Sequence, residues 1–162
     1  MKRKTLYLCH SAIIAALYVA LTYLSAILGL SSGAIQCRFS EALCVLPYFT
    51  SAAVPGLTVG CLVANLLTGT AVWADIVFGT LATLIGAIGT LLLRKIKWFA
   101  PIPPIVSNTF IIPFVLKYAY HLEDGVGFLM ITVGIGELIS VGMLGFLLLW
   151  ALEPYKKRIF KK

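Results

Sequence analysis

Four stretches of this 162-residue chain, residues 6–28, 73–93, 102–120 and 126–152, are apolar for long enough to cross a membrane. The hydrocarbon core of a bilayer is ~30 Å thick, which takes about 20 helical residues, and inside it every backbone N–H and C=O must be paired within its own segment. Composition agrees, with 60% hydrophobic residues, 12% charged residues and a mean hydropathy of +1.00. That is too apolar for a water-soluble fold. The expected fold class is an all-α membrane protein, one integral membrane domain over residues 1–162.

Between the first two spans lies an apolar region, 39–70, broken by Pro47 and by the turn signal Ser51-Ala52-Ala53-Val54-Pro55-Gly56. Proline lacks a backbone donor and clashes with the preceding turn, so the region predicts two shorter helices, about 39–49 and 55–67. Six transmembrane helices result. Lys2-Arg3-Lys4 before the first apolar run resembles a secretory signal, but the run is longer than the usual ~7–15 residues and no small-residue cleavage site ends it, so the helix is expected to be retained.

An inside amino terminus and six crossings would put Lys2, Arg3, Lys4, Arg94, Lys95, Lys97, Lys156, Lys157, Arg158, Lys161 and Lys162 on the cytoplasmic face, all of the 13 Lys and Arg except Arg38 and Lys117. This asymmetry predicts cytoplasmic N and C termini. The net charge of +7 is then explained by topology and contact with anionic lipid, without nucleic acid.

Ionisable groups at membrane depth are expensive, so those that remain point to function. Arg38 and Glu41 open the second helix at the outer face, Asp75 opens the fourth, and Asn65 lies in the outer half of the third. Asn108 and Glu137 lie nearer the middle. The pattern predicts one site opening outward. Two bland readings stand beside it: Arg38 and Glu41 pair with each other at i, i+3, and Asp75 answers a helix dipole. Glu137 has no cation on its own helix, so its carboxylate is neutral, paired from another helix, or bonded to a ligand.

Cys9, Cys37, Cys44 and Cys61 form no CxxC, and His10 and His121 fall at opposite ends of the bundle, so no metal or other cofactor is expected and the thiols read as small buried hydrophobes. On the first helix, Ala12, Ala16 and Ala20 recur every fourth residue. Such a flat face suits either packing within the chain or docking of a separate subunit.

The run Ile35-Gln36-Cys37-Arg38-Phe39-Ser40-Glu41-Ala42-Leu43, then Leu46-Pro47, Gly60-Cys61-Leu62-Val63-Ala64-Asn65-Leu66 and Asp75-Ile76-Val77-Phe78-Gly79-Thr80-Leu81-Ala82-Thr83, resembles the QueT family of queuosine-precursor uptake proteins, the S-components of energy-coupling-factor transporters. The likeness extends from the helix 1 alanines to Glu137. Cys37 departs from it, where a bulkier apolar residue is expected. The resemblance implies a bacterial multi-pass cell-membrane protein that binds its ligand near the outer face, under loops. It also implies docking on a transmembrane coupling subunit driven by two cytoplasmic ATPase subunits, with the alanine stripe as the docking face. The implied ligand is a 7-deazaguanine such as preQ1, preQ0 or queuine. Glu137 suits the two adjacent N–H donors of a guanine-like edge and Asn108 the remaining edge. Asp75 or Glu41 would answer a cationic aminomethyl group, and Trp73 or Phe78 would stack on the ring. The loop before Gln36, with Ser31-Ser32-Gly33, is expected to act as a lid.

No nucleophile–base pair, HExxH or GxxxxGK(S/T) phosphate loop is recognisable, which argues against an enzyme and against ATP hydrolysis by this chain. The remaining rival is an autonomous secondary carrier. Two inverted repeats would favour it, and no convincing halves are visible.

Overall fold

The computed structural model describes residues 3–30, 36–68 and 72–160, and is helical throughout them. Ser31-Ser32-Gly33, Ile35, the Thr70 end of the third expected helix, and Lys2, Lys161 and Lys162 lie outside the described residues. The elements are α1 (Arg3–Ile27), a 3-10 helix (Phe39–Tyr48), α2 (Ala53–Leu67), α3 (Asp75–Leu92), α4 (Ile102–Tyr118) and α5 (Val126–Ile159). Among the described residues, four helices are long and apolar enough to cross a membrane: α1, α3, α4 with its lead-in from Lys97, and α5.

The six helical segments alternate in direction. Gly29, at φ +70°, ends α1 in the left-handed region, and the Leu30 N–H returns to the Ser25 carbonyl at 3.0 Å. The 3-10 helix starts beside that end, where the Phe39 N–H donates to Ser25 Oγ at 2.8 Å, and finishes near the start of α1, where Ser11 Oγ donates to the Ala52 carbonyl at 2.9 Å. The fourteen residues of α1 between these anchors rise about 21 Å at ~1.5 Å each. Phe39 and Ala52 are thirteen residues apart, so an α-helix would rise about 20 Å between the same anchors. The expected helix over 39–49 is present, but as a 3-10 helix over Phe39–Tyr48. Pro47, which has no N–H to give, sits in its last turn.

This short helix is the axis of the molecule. Ser40, Glu41 and the run from Leu43 to Pro47 are all buried, with α1, α2, α3 and α5 packed around them. α2 then runs parallel to α1 in close contact. A Cβ on Gly60 would lie 2.8 Å from the Tyr18 Cβ and 3.0 Å from the Ala15 Cα, and one on Gly56 2.8 Å from the Ser11 carbonyl. α3 and α4 pack as closely, with Gly86 and Gly89 of α3 against Pro104 and Pro103 of α4. Small residues at such seams allow the backbone approach that drives helix association in lipid.

The start of α1 and the end of α5 meet at one end of the bundle. The rings of His10 and Phe160 are 6.1 Å apart, Lys97 Nζ is 3.7 Å from Glu153 Oε2, and Lys156 lies 4.4 Å above the Tyr48 ring. The basic residues of 3–4, 94–97 and 156–158 thus gather there. Arg38 and Lys117 lie toward the other end.

A Gly60→Val variant should separate α1 from α2 and destabilise the bundle by about 1–3 kcal/mol. The expected readout is a lower thermal midpoint in detergent, followed by tryptophan fluorescence. An unchanged midpoint would show that the seam is loose.

Candidate functional site

In the half of the bundle away from the basic end, Arg38, Glu41, Thr83, Asn108 and Glu137 line one small polar cavity, closed on one side by Gln36. Glu41 is 4% exposed, and its neighbours come from several elements. The Tyr18 hydroxyl of α1 donates to Oε1. The Cys44 thiol donates to Oε2 at 3.1 Å, placed directly along the helix by the three-residue turn of 3-10 geometry. The Asn108 amide of α4 reaches the same oxygen at 3.4 Å.

Glu137 of α5 lines the same cavity, and its Oε2 is buried with no hydrogen-bond partner among the described residues. A buried acceptor without a donor is costly and rare in a settled structure. Two carboxyl groups therefore face one cavity, and among the described residues neither has a cation within ion-pair distance.

The cation of the site is engaged elsewhere. Arg38 Nη2 lies 3.9 Å from Asp75 Oδ2, so the pairing of Arg38 with Glu41 considered from their spacing is not formed. Asp75, 6% exposed in the first turn of α3, also accepts the Tyr120 hydroxyl at 3.2 Å, and its main-chain carbonyl accepts the Asn65 amide at 3.2 Å. Burial first, and the Asp75 carboxylate next, raise the Tyr120 phenol above its ordinary value, so it remains a donor at neutral pH. Asp75 opens a π-helical stretch, Asp75–Gly79, and Glu137 immediately precedes another, Leu138–Gly145. Such widened turns recur at functional sites.

The structure brings Arg38, Glu41, Asn108 and Glu137 together in the cavity and joins Asp75 and Asn65 to them through Arg38. It does not bring Trp73 and Phe78 there: Trp73 is 70% exposed, and Phe78, 41% exposed, lines an apolar groove with Ala74, Phe110 and Phe114. Ala12, Ala16 and Ala20 lie on the exposed face of α1, opposite the buried Ile14, Tyr18 and Thr22. Sequence reasoning missed Tyr18, Cys44, Thr83 and Tyr120. The signal for Tyr18 was present, because Ile14, Tyr18, Thr22 and Ser25 recur every three or four residues on the side away from the alanines.

The cavity is contracted to about 30 Å³, against roughly 300 Å³ or more for ordinary small-molecule pockets. On the other side of Gln36 lies a wider opening of about 320 Å³, lined by Leu116, Asp124, Phe128 and Thr132. The Gln36 carbonyl rests directly on Gly136, where a Cβ would collide with it, and Cys37 Sγ lies 3.1 Å from Ser140 Oγ one turn further along α5. The small side chain of Cys37, where the family resemblance led us to expect a bulkier one, fits this close contact. Gln36 and Cys37 thus form a strap laid on α5 beside Glu137.

Gly136→Ala should lift that strap. The expected result is severalfold faster maleimide labelling of Cys37, measured by mass spectrometry with the exposed Cys9 as internal reference. An unchanged rate would show that the strap is held by other contacts.

A relative from Lactococcus lactis subsp. cremoris, the queuosine precursor transporter QueT, is 38% identical over 97 residues, covering 59% of this chain and 56% of that protein. The matched stretch is thus little more than half the length of that relative. No solved structure matches. The family model described as QueT transporter matches residues 8–154, a range that contains every residue of the cavity and the strap, and the chain belongs to this family of membrane transporters.

Proposed function

We propose that the protein is the substrate-binding S-component of an energy-coupling-factor importer, capturing a 7-deazaguanine queuosine precursor at the outer face of the cell membrane. The observation that carries this reading is the buried, unpartnered Oε2 of Glu137 beside the Asn108 amide, in a cavity at the end of the bundle away from the basic residues. A guanine-like edge offers two adjacent N–H donors, which one carboxylate accepts together, while a side-chain amide both donates and accepts at the neighbouring edge. The name of the Lactococcus relative supports the same class of ligand.

In this reading all six passes cross the bilayer and the basic end, with both chain termini, is cytoplasmic. The exposed Ala12, Ala16 and Ala20 form the face for a transmembrane coupling subunit, which two ATPase subunits drive. Ligand entry widens the contracted cavity by moving Gln36 off Gly136.

Glu137→Gln should weaken deazaguanine binding, measured by calorimetry in detergent, by about 1–3 kcal/mol, roughly fivefold to a hundredfold. Unchanged affinity would remove Glu137 from the site. Ala16→Leu should leave ligand affinity intact and abolish co-purification with coupling subunits. If the wild-type protein instead moves substrate in liposomes with no partner present, it is an autonomous carrier.

A further inference from the structure

The charges around the cavity do not balance. Facing the Glu41 and Glu137 carboxyl groups are Tyr18 of α1, Cys44 and Arg38 of the central segment, Cys61 of α2, Thr83 of α3 and Asn108 of α4. The one cation in this set, Arg38, lies against Asp75, which also takes the Tyr120 hydroxyl. Within hydrogen-bond distance Glu41 has a phenol, a thiol and an amide, all neutral, and among the described residues one carboxylate oxygen of Glu137 has no donor. Arg38 is thus one guanidinium among three carboxyl groups, Asp75, Glu41 and Glu137, an arrangement that a further positive charge on a ligand would stabilise.

We infer that the site takes its ligand as a cation, with an ammonium group seated on Glu41 and the planar ring's N–H donors on Glu137. This rests on the deazaguanine reading above and adds to it which members of the class bind. Asp75, the other acid considered for the ammonium group, already has its cation in Arg38. Glu41 reaches the cavity, is 4% exposed, and has no cation within ion-pair distance among the described residues to answer a negative charge. Its three neutral donors fix the carboxylate in place without cancelling that charge, which is the arrangement expected of a preorganised cation acceptor. A deazaguanine with a nitrile in place of the aminomethyl group presents the same ring edge and no charge. It would leave Glu41 unanswered.

The test is calorimetry on the intact protein in detergent at neutral pH, comparing preQ1, which carries an aminomethyl cation, with preQ0, its neutral nitrile counterpart. The expected result is at least tenfold tighter binding of preQ1. In Glu41→Gln the preference should fall toward one, and Glu41→Asp should restore part of it. Wild-type affinities within twofold of each other would overturn the inference and leave the deazaguanine reading standing. Binding of neither compound by demonstrably folded protein would remove that reading and this inference with it. Should Glu41→Gln fail to fold, the wild-type preference alone decides.

Discussion

A carboxylate buried in an apolar bundle has to be answered by its surroundings, and Glu41 is answered by three elements at once. Tyr18 reaches it from α1, Cys44 from the next turn of its own helix, and Asn108 from α4. Those donors work only if α1, the central 3-10 helix and α4 keep a fixed depth relative to one another. The interaction is therefore a constraint on register as much as a source of energy. Where lipid surrounds a bundle, apolar contacts between helices and between helix and lipid differ little, so polar contacts and close packing carry more of the specification.

Close packing makes those reaches possible. The 3-10 helix leaves no outward face of its own, so its polar groups are seen only by other helices. Gly56 and Gly60 let α2 lie flat against α1, which puts Cys61 within reach of Thr83 at 3.3 Å and brings α3 to the cavity wall. Thr83 also donates to the Gly79 carbonyl at 3.1 Å, in the π-helical stretch that begins at Asp75. The cavity is thus a gap between helices whose separations are each set by small residues, and its contents follow from those separations.

Much of this was legible in the sequence because the membrane penalises ambiguity. Long apolar runs marked the four long helices, Pro47 and the turn at 51–56 marked two short ones, and the segregation of Lys and Arg marked the end where the start of α1 and the end of α5 meet. The scarcity of charge drew attention to Arg38, Glu41, Asp75 and Glu137, and the structure places all four in or beside one cluster. What could not be read was partner choice. Spacing along one helix suggested Arg38 with Glu41, but Arg38 stands in extended backbone just before the 3-10 helix and its guanidinium lies against Asp75, 37 residues away in sequence. Trp73 and Phe78 looked like stacking groups because aromatic residues beside an acid suit a planar ligand. Their three-dimensional positions are those of outward-facing side chains, a distinction that needs the helix rotation and not only its boundaries. Tyr18 was hidden for the opposite reason: it sits within a long apolar run whose alanine stripe supplied the more obvious pattern.

The two ends of the cavity differ in a way that bears on transport. On the Gln36 side, the barrier is a strap of two residues resting on Gly136 and Ser140, and a wider opening lies beyond it. Toward the basic end, the path is filled by Cys44, Val45, Leu57, Ala87 and Val141, all fully buried, and by the Gly86–Pro104 and Gly89–Pro103 contacts, where an added Cβ would come within 2.7 Å and 2.5 Å. Moving a strap costs a few local contacts, whereas parting a close-packed seam costs the packing of two whole helices. Ligand exchange on the Gln36 side is therefore inexpensive and exchange toward the basic end is not. That asymmetry supports a protein that captures its ligand unaided and needs work from a partner to release it on the other side.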